Sequence, residues 1–183
     1  MKILITGGAG FVGTNLVKSL LNKHEEIDIQ VLDNFSTGFR HNMVEDDRVK
    51  YHEFDVADYF FDNHLNDTLG DWRPDTIYHL AALARIQPSF TEPKNTFAAN
   101  TIGTQNILEW ARNNGNIQVV YAGSSSYQGG IHTSPYAWSK YAGEDLCKLY
   151  TALAAPPPPS LYEINDTLTL ALYAFYIHRF NTS

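Results

Sequence analysis

Three side chains in the second half of the chain have the types and spacing needed for proton and hydride chemistry. Ser134 and Pro135 are typical of a helix cap and of a first helical residue. Tyr136 and Lys140, four positions apart, then lie on one helical face. A free tyrosine has a pKa near ~10, and a neighbouring ammonium stabilises its phenolate form. Ser124 follows an apolar run, and its hydroxyl can hold a substrate oxygen beside Tyr136, so the three residues predict a general base acting on a hydroxyl.

A partner for such a base is predicted at the amino terminus, where a glycine-rich turn joins a strand to a helix. Lys2 to Thr6 is an apolar run of strand length, and Thr14 to Asn22 has an apolar helical face. Gly7 and Gly10 let the backbone turn tightly and approach a ligand, and Gly13 removes a side chain where helix and strand pack. The first turn of the helix offers unpaired N–H groups to a phosphate. We therefore expect the pyrophosphate of a dinucleotide at this turn.

A second strand, Ile27 to Leu32, ends in an acid suited to ribose recognition. Asp33 lies 20 positions after Gly13, near the separation at which a carboxylate reaches the 2′-hydroxyl of an adenosine ribose. A 2′-phosphate would be repelled at this place, so the sequence favours NAD over NADP as the cofactor.

The opening sequence TGGAGFVGTNL, with its glycines spaced G-x-x-G-x-x-G, resembles the NAD-dependent epimerase/dehydratase family of extended short-chain dehydrogenases. The resemblance implies an α/β fold, a doubly wound parallel sheet of the Rossmann type in three αβα layers. It also implies NAD as the cofactor and no metal site. The cofactor-binding residues that it implies are Gly7, Gly10, Phe11, Val12, Gly13, Asp33, Asn34, Asp55, Val56, Ala81, Ala82, Asn100, Tyr136 and Lys140.

The resemblance further implies that the serine, tyrosine and lysine introduced above are the catalytic residues of the family. Aligning Tyr127-Gln128-Gly129 with the V-Y-G that the family usually carries puts the catalytic hydroxyl at Ser124. Family members that dehydrate sugar nucleotides carry Asp-Glu directly after this position, whereas this chain has Ser125 and Ser126. The sequence therefore resembles the 4-epimerases better, which implies a nucleotide-sugar substrate. A dehydratase or a decarboxylase is the alternative.

Further strands are predicted over Val49 to Phe54, Thr76 to Leu80 and Ile117 to Ala122. Two interpretations stay open for Asp55. It either caps a helix over Ala57 to Leu69 or contacts the adenine edge, as the family implies, and both can hold.

Between the fourth and fifth strands the sequence predicts a loop and then one long helix. The loop is Arg85 to Lys94, and the helix runs from Thr96 to Arg112. Asn100 is mildly unfavourable within a helix and needs a hydrogen-bond partner if it faces the core. The resemblance implies that it braces the turns near the cofactor. His79 is interpreted as a packed, hydrogen-bonded histidine rather than a catalyst.

The predicted NAD-binding domain covers residues 1–155 and is followed by a polyproline linker at 156–159. The tail, 160–183, contains an apolar run from Leu168 to Ile177 that predicts a sixth strand or a helix. The resemblance implies a substrate domain after the helix from Pro135 to Leu153, and we expect this chain to lack most of it. Three interpretations stay open: an enzyme with a minimal or shared sugar site, a non-catalytic NAD-binding module, and a shortened product that self-associates.

The totals restrict the partners that we expect. The chain has 183 residues and a formal net charge of −7, which argues against nucleic acid. Its single cysteine, Cys147, permits no internal disulfide and fits a cytoplasmic protein. No apolar run is long enough to suggest a membrane span. The resemblance implies a homodimer formed through the segments Thr96 to Arg112 and Pro135 to Leu153.

Overall fold

Five short strands form one parallel sheet in the computed structural model, which describes residues 1–154. The strands are β1 (Lys2–Thr6), β2 (Asp28–Asp33), β3 (Val49–Glu53), β4 (Thr76–His79) and β5 (Gln118–Tyr121). Their order across the sheet is β3-β2-β1-β4-β5. The winding therefore reverses between β1 and β4, and ligands bind to such sheets outside the carboxyl ends of the strands at this point. This topology confirms the predicted doubly wound fold.

Helices cover both faces of the sheet and complete three layers. They are α1 (Phe11–Lys23), α2 (Phe61–Leu69), α3 (Ile86–Thr91), α4 (Pro93–Phe97), α5 (Gly103–Asn113) and α6 (Pro135–Ala154). Arg40–Asn42 forms a 3-10 turn, and Ala98–Ile102 forms a π turn between α4 and α5.

Apolar side chains that alternate in direction along the strands form a separate core on each face of the sheet. Ile3 and Ile5 of β1 pack with Val17 of α1 on one face. Leu4 points the other way and packs in a cluster with Leu65 of α2 and Ile107 of α5. Successive side chains of a strand face opposite sides, so one short strand can hold helices on both.

The third cluster of buried apolar residues joins α6 to the edge of the sheet. Cys147 of α6 packs with Leu108 of α5 and Tyr121 of β5. The helix that carries Tyr136 and Lys140 is therefore fixed against the last strand of the described sheet.

The structure corrects the prediction for Asp55 as a helix cap. The helix begins at Phe61 rather than at Ala57. Asp55 Oδ1 instead accepts a hydrogen bond of 2.9 Å from the backbone N–H of Ala57, inside the loop that precedes the helix. The carboxylate of Asp55 therefore stabilises a short turn before the helix and does not cap the helix itself.

The prediction of a loop from Arg85 to Lys94 is also wrong, because α3 and the start of α4 lie there. Pro88 stands in the first turn of α3 and Pro93 is the first residue of α4. Proline is tolerated at these positions, since the first N–H groups of a helix have no intrahelical partner.

The long helix predicted from Thr96 to Arg112 is interrupted by the π turn at Ala98–Ile102. Such a turn inserts one extra residue into a helix and is frequent at functional sites. The buried residue within it is Asn100, so the interruption accompanies an inward-facing amide.

The predicted linker at 156–159 and the tail at 160–183, including the candidate strand from Leu168 to Ile177, lie outside the described residues. In the described part, 1–154, none of the helices combines the length and the apolar character needed to cross a bilayer. Within the same residues, His, Cys, Asp and Glu side chains form no group of three or more suited to a metal ion.

Candidate active site

A cavity of about 350 Å³ opens at the carboxyl ends of β1, β2 and β4. Its walls come from the glycine-rich turn, from the residues after β2 and β3, and from the segment after β4. They include the predicted cofactor residues Gly7, Gly10, Phe11, Val12, Gly13, Asp33, Asn34, Asp55, Val56, Ala81 and Ala82. The structure therefore brings together in one crevice residues that lie far apart in the sequence.

Two glycines leave room that a side chain would fill. Gly7 has φ +72°, and a Cβ on it would lie 2.7 Å from the backbone N of Ala81. A Cβ on Gly13 would lie 2.4 Å from the carbonyl oxygen of Gly7. Gly10 precedes α1 without a capping side chain, so the first N–H groups of the helix face the crevice without a side-chain acceptor. This bare helix terminus fits the pyrophosphate of a dinucleotide.

Asp33 is held at the floor of the crevice by two backbone groups. Its Oδ2 accepts 2.9 Å from the N–H of Ala9, and its Oδ1 accepts 2.8 Å from the N–H of Phe35. Each carboxylate oxygen keeps further acceptor capacity for a ligand hydroxyl. The neighbouring Asn34 accepts a hydrogen bond of 3.0 Å at its Oδ1 from the N–H of Ser36.

A directed chain of hydrogen bonds supports the crevice from below. The N–H of Ala81 donates to Thr6 Oγ1 at 3.1 Å, and the Thr6 hydroxyl lies 2.7 Å from His79 Nδ1. On the other side of the ring, His79 Nε2 lies 3.0 Å from Thr104 Oγ1. Thr104 donates its hydroxyl proton to the carbonyl of Asn100 at 2.7 Å, so it accepts from the ring. The proton of the imidazole is therefore on Nε2, and Nδ1 accepts from Thr6.

His79 is consequently a neutral structural residue. Burial, and secondarily the charge of Lys140, lower its pKa to about 3. The interpretation of His79 as a packed, hydrogen-bonded histidine is confirmed.

Asn100 connects the crevice to α6. Its Oδ1 accepts 2.8 Å from the N–H of Leu83, and its Nδ2 donates to the carbonyl of Leu83 at 3.2 Å and to Ser139 Oγ at 3.0 Å. Ser139 in turn donates to the carbonyl of Tyr136 at 2.8 Å. Asn100 is 1% exposed and does not line the crevice, so it supports the lining from behind.

Lys140 is almost fully buried, with an exposed fraction of 4%. Its Nζ lies 4.1 Å from the centre of the Tyr121 ring, which attracts the ammonium through its electron-rich face. A Cβ on Gly143 would lie 2.2 Å from the Tyr121 hydroxyl, so the absence of a side chain at Gly143 lets the Tyr121 ring lie against α6. Burial lowers the pKa of Lys140 to about 8, against the opposing effects of Cys147 and Glu144.

Tyr136 and Ser124 approach this region from different elements. Tyr136 stands in the first turn of α6, where its backbone N–H donates to Ser89 Oγ at 3.2 Å. Ser124 follows β5, and its hydroxyl donates to Ser126 Oγ at 3.0 Å. Neither these two residues nor Lys140 lines the crevice. The predicted cofactor contacts of Tyr136 and Lys140 therefore stay predictions.

Glu144 was not among the predicted site residues, although it contacts the loop that follows β5 at Ser124 and Tyr127. Its Oε1 accepts 3.2 Å from the backbone N–H of Ser124, and its Oε2 accepts 2.6 Å from the hydroxyl of Tyr127. The spacing carried a signal, since Glu144 lies four positions after Lys140 and eight after Tyr136, on the same helical face.

The sheet order and the glycine-lined crevice at its switch point define a Rossmann-type α/β protein. The chain belongs to the NAD dependent epimerase/dehydratase family, whose sequence model matches residues 3–155. This confirms the resemblance inferred from the opening motif.

Individual relatives agree with the family. The UDP-glucose 4-epimerase of Lacticaseibacillus casei is 32% identical over 158 residues, which are 80% of this chain and 46% of that protein. A crystal structure of the Thermus thermophilus UDP-glucose 4-epimerase in complex with NAD is 30% identical, with a TM-score of 0.72 over 84% of this chain and 52% of that one. A Thermotoga maritima UDP-glucose 4-epimerase with UDP-glucose is 26% identical, with a TM-score of 0.73 over 83% and 52%. The chain spans about half the length of the relatives it matches.

Proposed function

We propose that the protein binds NAD in the glycine-lined crevice and inverts a hydroxyl-bearing carbon, C4, of a nucleotide-sugar. The observation that carries the proposal is the burial of the Lys140 ammonium against Tyr121 on the helix face that also bears Tyr136. A buried ammonium on that face can stabilise the phenolate form of Tyr136 by its positive charge. Relatives named as UDP-glucose 4-epimerases support the substrate class.

Each proposed residue has one role. Tyr136, as the phenolate, takes the proton of the C4 hydroxyl, and the Ser124 hydroxyl donates a hydrogen bond to the same oxygen. Lys140 stabilises the phenolate by its positive charge. When bound, NAD would be held by the residues that line the crevice and would supply a reversible hydride acceptor for C4, so that the carbon can be reduced again from its opposite face. Tyr136 then gives the proton back to the oxygen, so no net oxidation remains.

Two neutral residues beside Ser124 favour epimerisation over loss of water. Ser125 and Ser126 are hydroxyls, and Ser126 is engaged with Ser124 at 3.0 Å. Elimination requires a general acid and a general base near the leaving group, and a carboxylate pair would supply both. A dehydratase or decarboxylase is therefore the less favoured activity.

The test is turnover by the whole chain and by one variant. Wild-type protein is incubated with NAD and a panel of UDP-, GDP- and dTDP-sugars, while epimer formation and the absorbance of reduced cofactor are followed. Tyr136→Phe should abolish turnover and keep the affinity for NAD within about twofold, because only the proton acceptor is removed. Tyr150→Phe, which removes a hydroxyl from the other end of the same helix, is the matched control. Turnover that survives in Tyr136→Phe would refute the assignment.

A second candidate function is a non-catalytic NAD-binding module. It is favoured by one observation: the crevice is lined by most of the predicted cofactor residues, whereas Ser124, Tyr136 and Lys140 stand outside its lining. NAD binding without an epimer or a reduced cofactor for any sugar of the panel would support this candidate.

We also propose that two copies pair through α5, α6 and the π turn between α4 and α5. Large apolar side chains on these elements are exposed, among them Ile102, Trp138, Leu149 and Leu153. An exposed apolar surface of this kind is typical of an interaction site. Sedimentation equilibrium should give the mass of a dimer, and Leu149→Lys should reduce that mass toward a monomer.

A further inference from the structure

Glu144 joins two segments that carry different parts of the candidate site. It is located on α6, one helical turn after Lys140. Across the space between the helix and the loop after β5, one carboxylate oxygen accepts from the backbone N–H of Ser124 at 3.2 Å. The other accepts from the hydroxyl of Tyr127 at 2.6 Å, so both oxygens bind the same loop.

The loop is built to receive this carboxylate. A Cβ on Gly123 would lie 2.8 Å from Glu144 Oε1, a distance that real Cβ atoms essentially never show. A side chain at position 123 would therefore require the carboxylate of Glu144 to shift away from the Ser124 amide. Hydrogen bonds from an N–H or O–H to an ionised acceptor are about twice as strong as neutral ones, so this link can fix a loop.

The charge of Glu144 also acts on the lysine of the same face. It is one of the groups that oppose the effect of burial on the pKa of Lys140. The same side chain thus contacts the loop of Ser124 and favours the ammonium form of Lys140.

We propose that Glu144 is a positioning residue, which fixes the loop of Ser124 against the face of α6 that carries Tyr136 and Lys140. The catalytic consequence rests on the proposed function, whereas the positioning itself does not. In this role Glu144 does not touch the reacting atoms. It sets the distance and direction from which the Ser124 hydroxyl reaches the substrate oxygen.

The first measurement is amide hydrogen exchange at Ser124, followed by NMR in the full chain. Glu144→Ala removes the acceptor, and the Ser124 amide should exchange about tenfold faster or more, as expected for a lost hydrogen bond to a charged group. Asp145→Asn is the matched control, because Asp145 is the next residue of α6 and pairs with the exposed Lys148 at 2.9 Å. The control should leave the Ser124 amide unchanged.

The second measurement separates positioning from a general loss of structure. In Glu144→Ala we expect kcat to fall by about tenfold to a hundredfold, while KM and the NAD dissociation constant stay within about twofold. Glu144→Gln keeps the length of the side chain and one acceptor oxygen, so it should recover most of the Ser124 protection. A purely structural role would lower NAD affinity and kcat together and would give no such recovery.

Gly123→Ala tests the contact from the opposite side and serves if Glu144→Ala does not fold. The added methyl should displace the carboxylate and reproduce the faster exchange of the Ser124 amide. In a chain that also carries Glu144→Ala, the methyl should have no further effect on this exchange, because the carboxylate that it would displace is already absent.

Equal exchange of the Ser124 amide in wild type and Glu144→Ala would overturn the proposal, and so would an equal effect of Asp145→Asn. A wild-type protein that binds NAD but converts no nucleotide-sugar would refute the proposed function instead. The exchange comparison would still decide for or against the positioning role in that case.

Discussion

Replacing Lys140 with methionine should stabilise the folded chain at neutral pH while it removes the ammonium that we propose for catalysis. Lys140 is 4% exposed, and burial lowers its pKa from 10.5 to about 8. At about 1.4 kcal/mol per pKa unit, this shift corresponds to a cost of roughly 3 kcal/mol for burying the charge. The contact with the Tyr121 ring offsets about 0.5–2 kcal/mol of that cost. A methionine of similar length should therefore raise the free energy of unfolding by about 1–3 kcal/mol.

The pH dependence of this gain distinguishes a buried charge from a change in packing, which would not vary with pH. Because the folded-state pKa of Lys140 lies below its unfolded value, the cost is fully present below about pH 8 and disappears as the pH rises toward 10.5. The advantage of Lys140→Met over wild type should then shrink by about 2 kcal/mol between about pH 7 and about pH 9.5.

Urea unfolding of both proteins at the two pH values measures this difference. Lys148→Met is the matched control, since the Lys148 side chain is 64% exposed and pairs with Asp145 on the surface. The control should change the free energy of unfolding by less than about 0.5 kcal/mol. A Lys140→Met protein that is less stable than wild type at neutral pH, or an advantage that grows with pH, would refute the reasoning.

Two further predictions concern the crevice and its support. Gly13→Ala should weaken NAD binding and lower the free energy of unfolding by about 1–3 kcal/mol. The new methyl group would lie 2.4 Å from the carbonyl oxygen of Gly7, so the backbone of the turn would have to move. Isothermal titration with NAD and urea unfolding test this, with Gly129→Ala as the control, since nothing lies within 4 Å of a Cβ there. Burial lowers the pKa of His79 to about 3, so the unfolded chain takes up a proton at a higher pH than the folded chain does. The free energy of unfolding should therefore fall with decreasing pH, by up to about 1.4 kcal/mol per pH unit below about pH 6.5. The slope should be smaller in His79→Gln and unchanged in the exposed control His132→Gln, and an equal slope in His79→Gln would contradict the assignment.

The first half of the crevice could be predicted from local sequence because its geometry is local. The turn that begins at Gly7 follows β1 directly, and α1 starts at Phe11, three residues before the predicted Thr14, since Gly10 already acts as the helix cap. Asp33 ends β2 as expected. In each case the residue type and its neighbours determine the conformation, so one sequence is sufficient.

The rest of the site depends on contacts between distant residues. Asn100 gains its partner Leu83 only when the segment after β4 packs on the π turn, and no local pattern predicts that turn. Glu144 lies 20 positions from Ser124 and resembles any exposed helical glutamate until the loop after β5 closes over it. Pro88 and Pro93 suggest a loop when the sequence is taken alone, whereas both residues stand where a helix begins.

Hydrogen bonds connect the floor of the crevice to the helix that carries Tyr136. They run from Thr6 through His79 and Thr104 to Asn100, and from Asn100 through Ser139 to the first turn of α6. Each of these buried groups depends on its neighbour for a hydrogen bond, so we expect the glycine-lined crevice and the first turn of α6 to lose their protection from hydrogen exchange together. A chain without enzymatic activity would still gain stability from these buried hydrogen bonds, so their contribution to folding does not depend on the proposed catalysis.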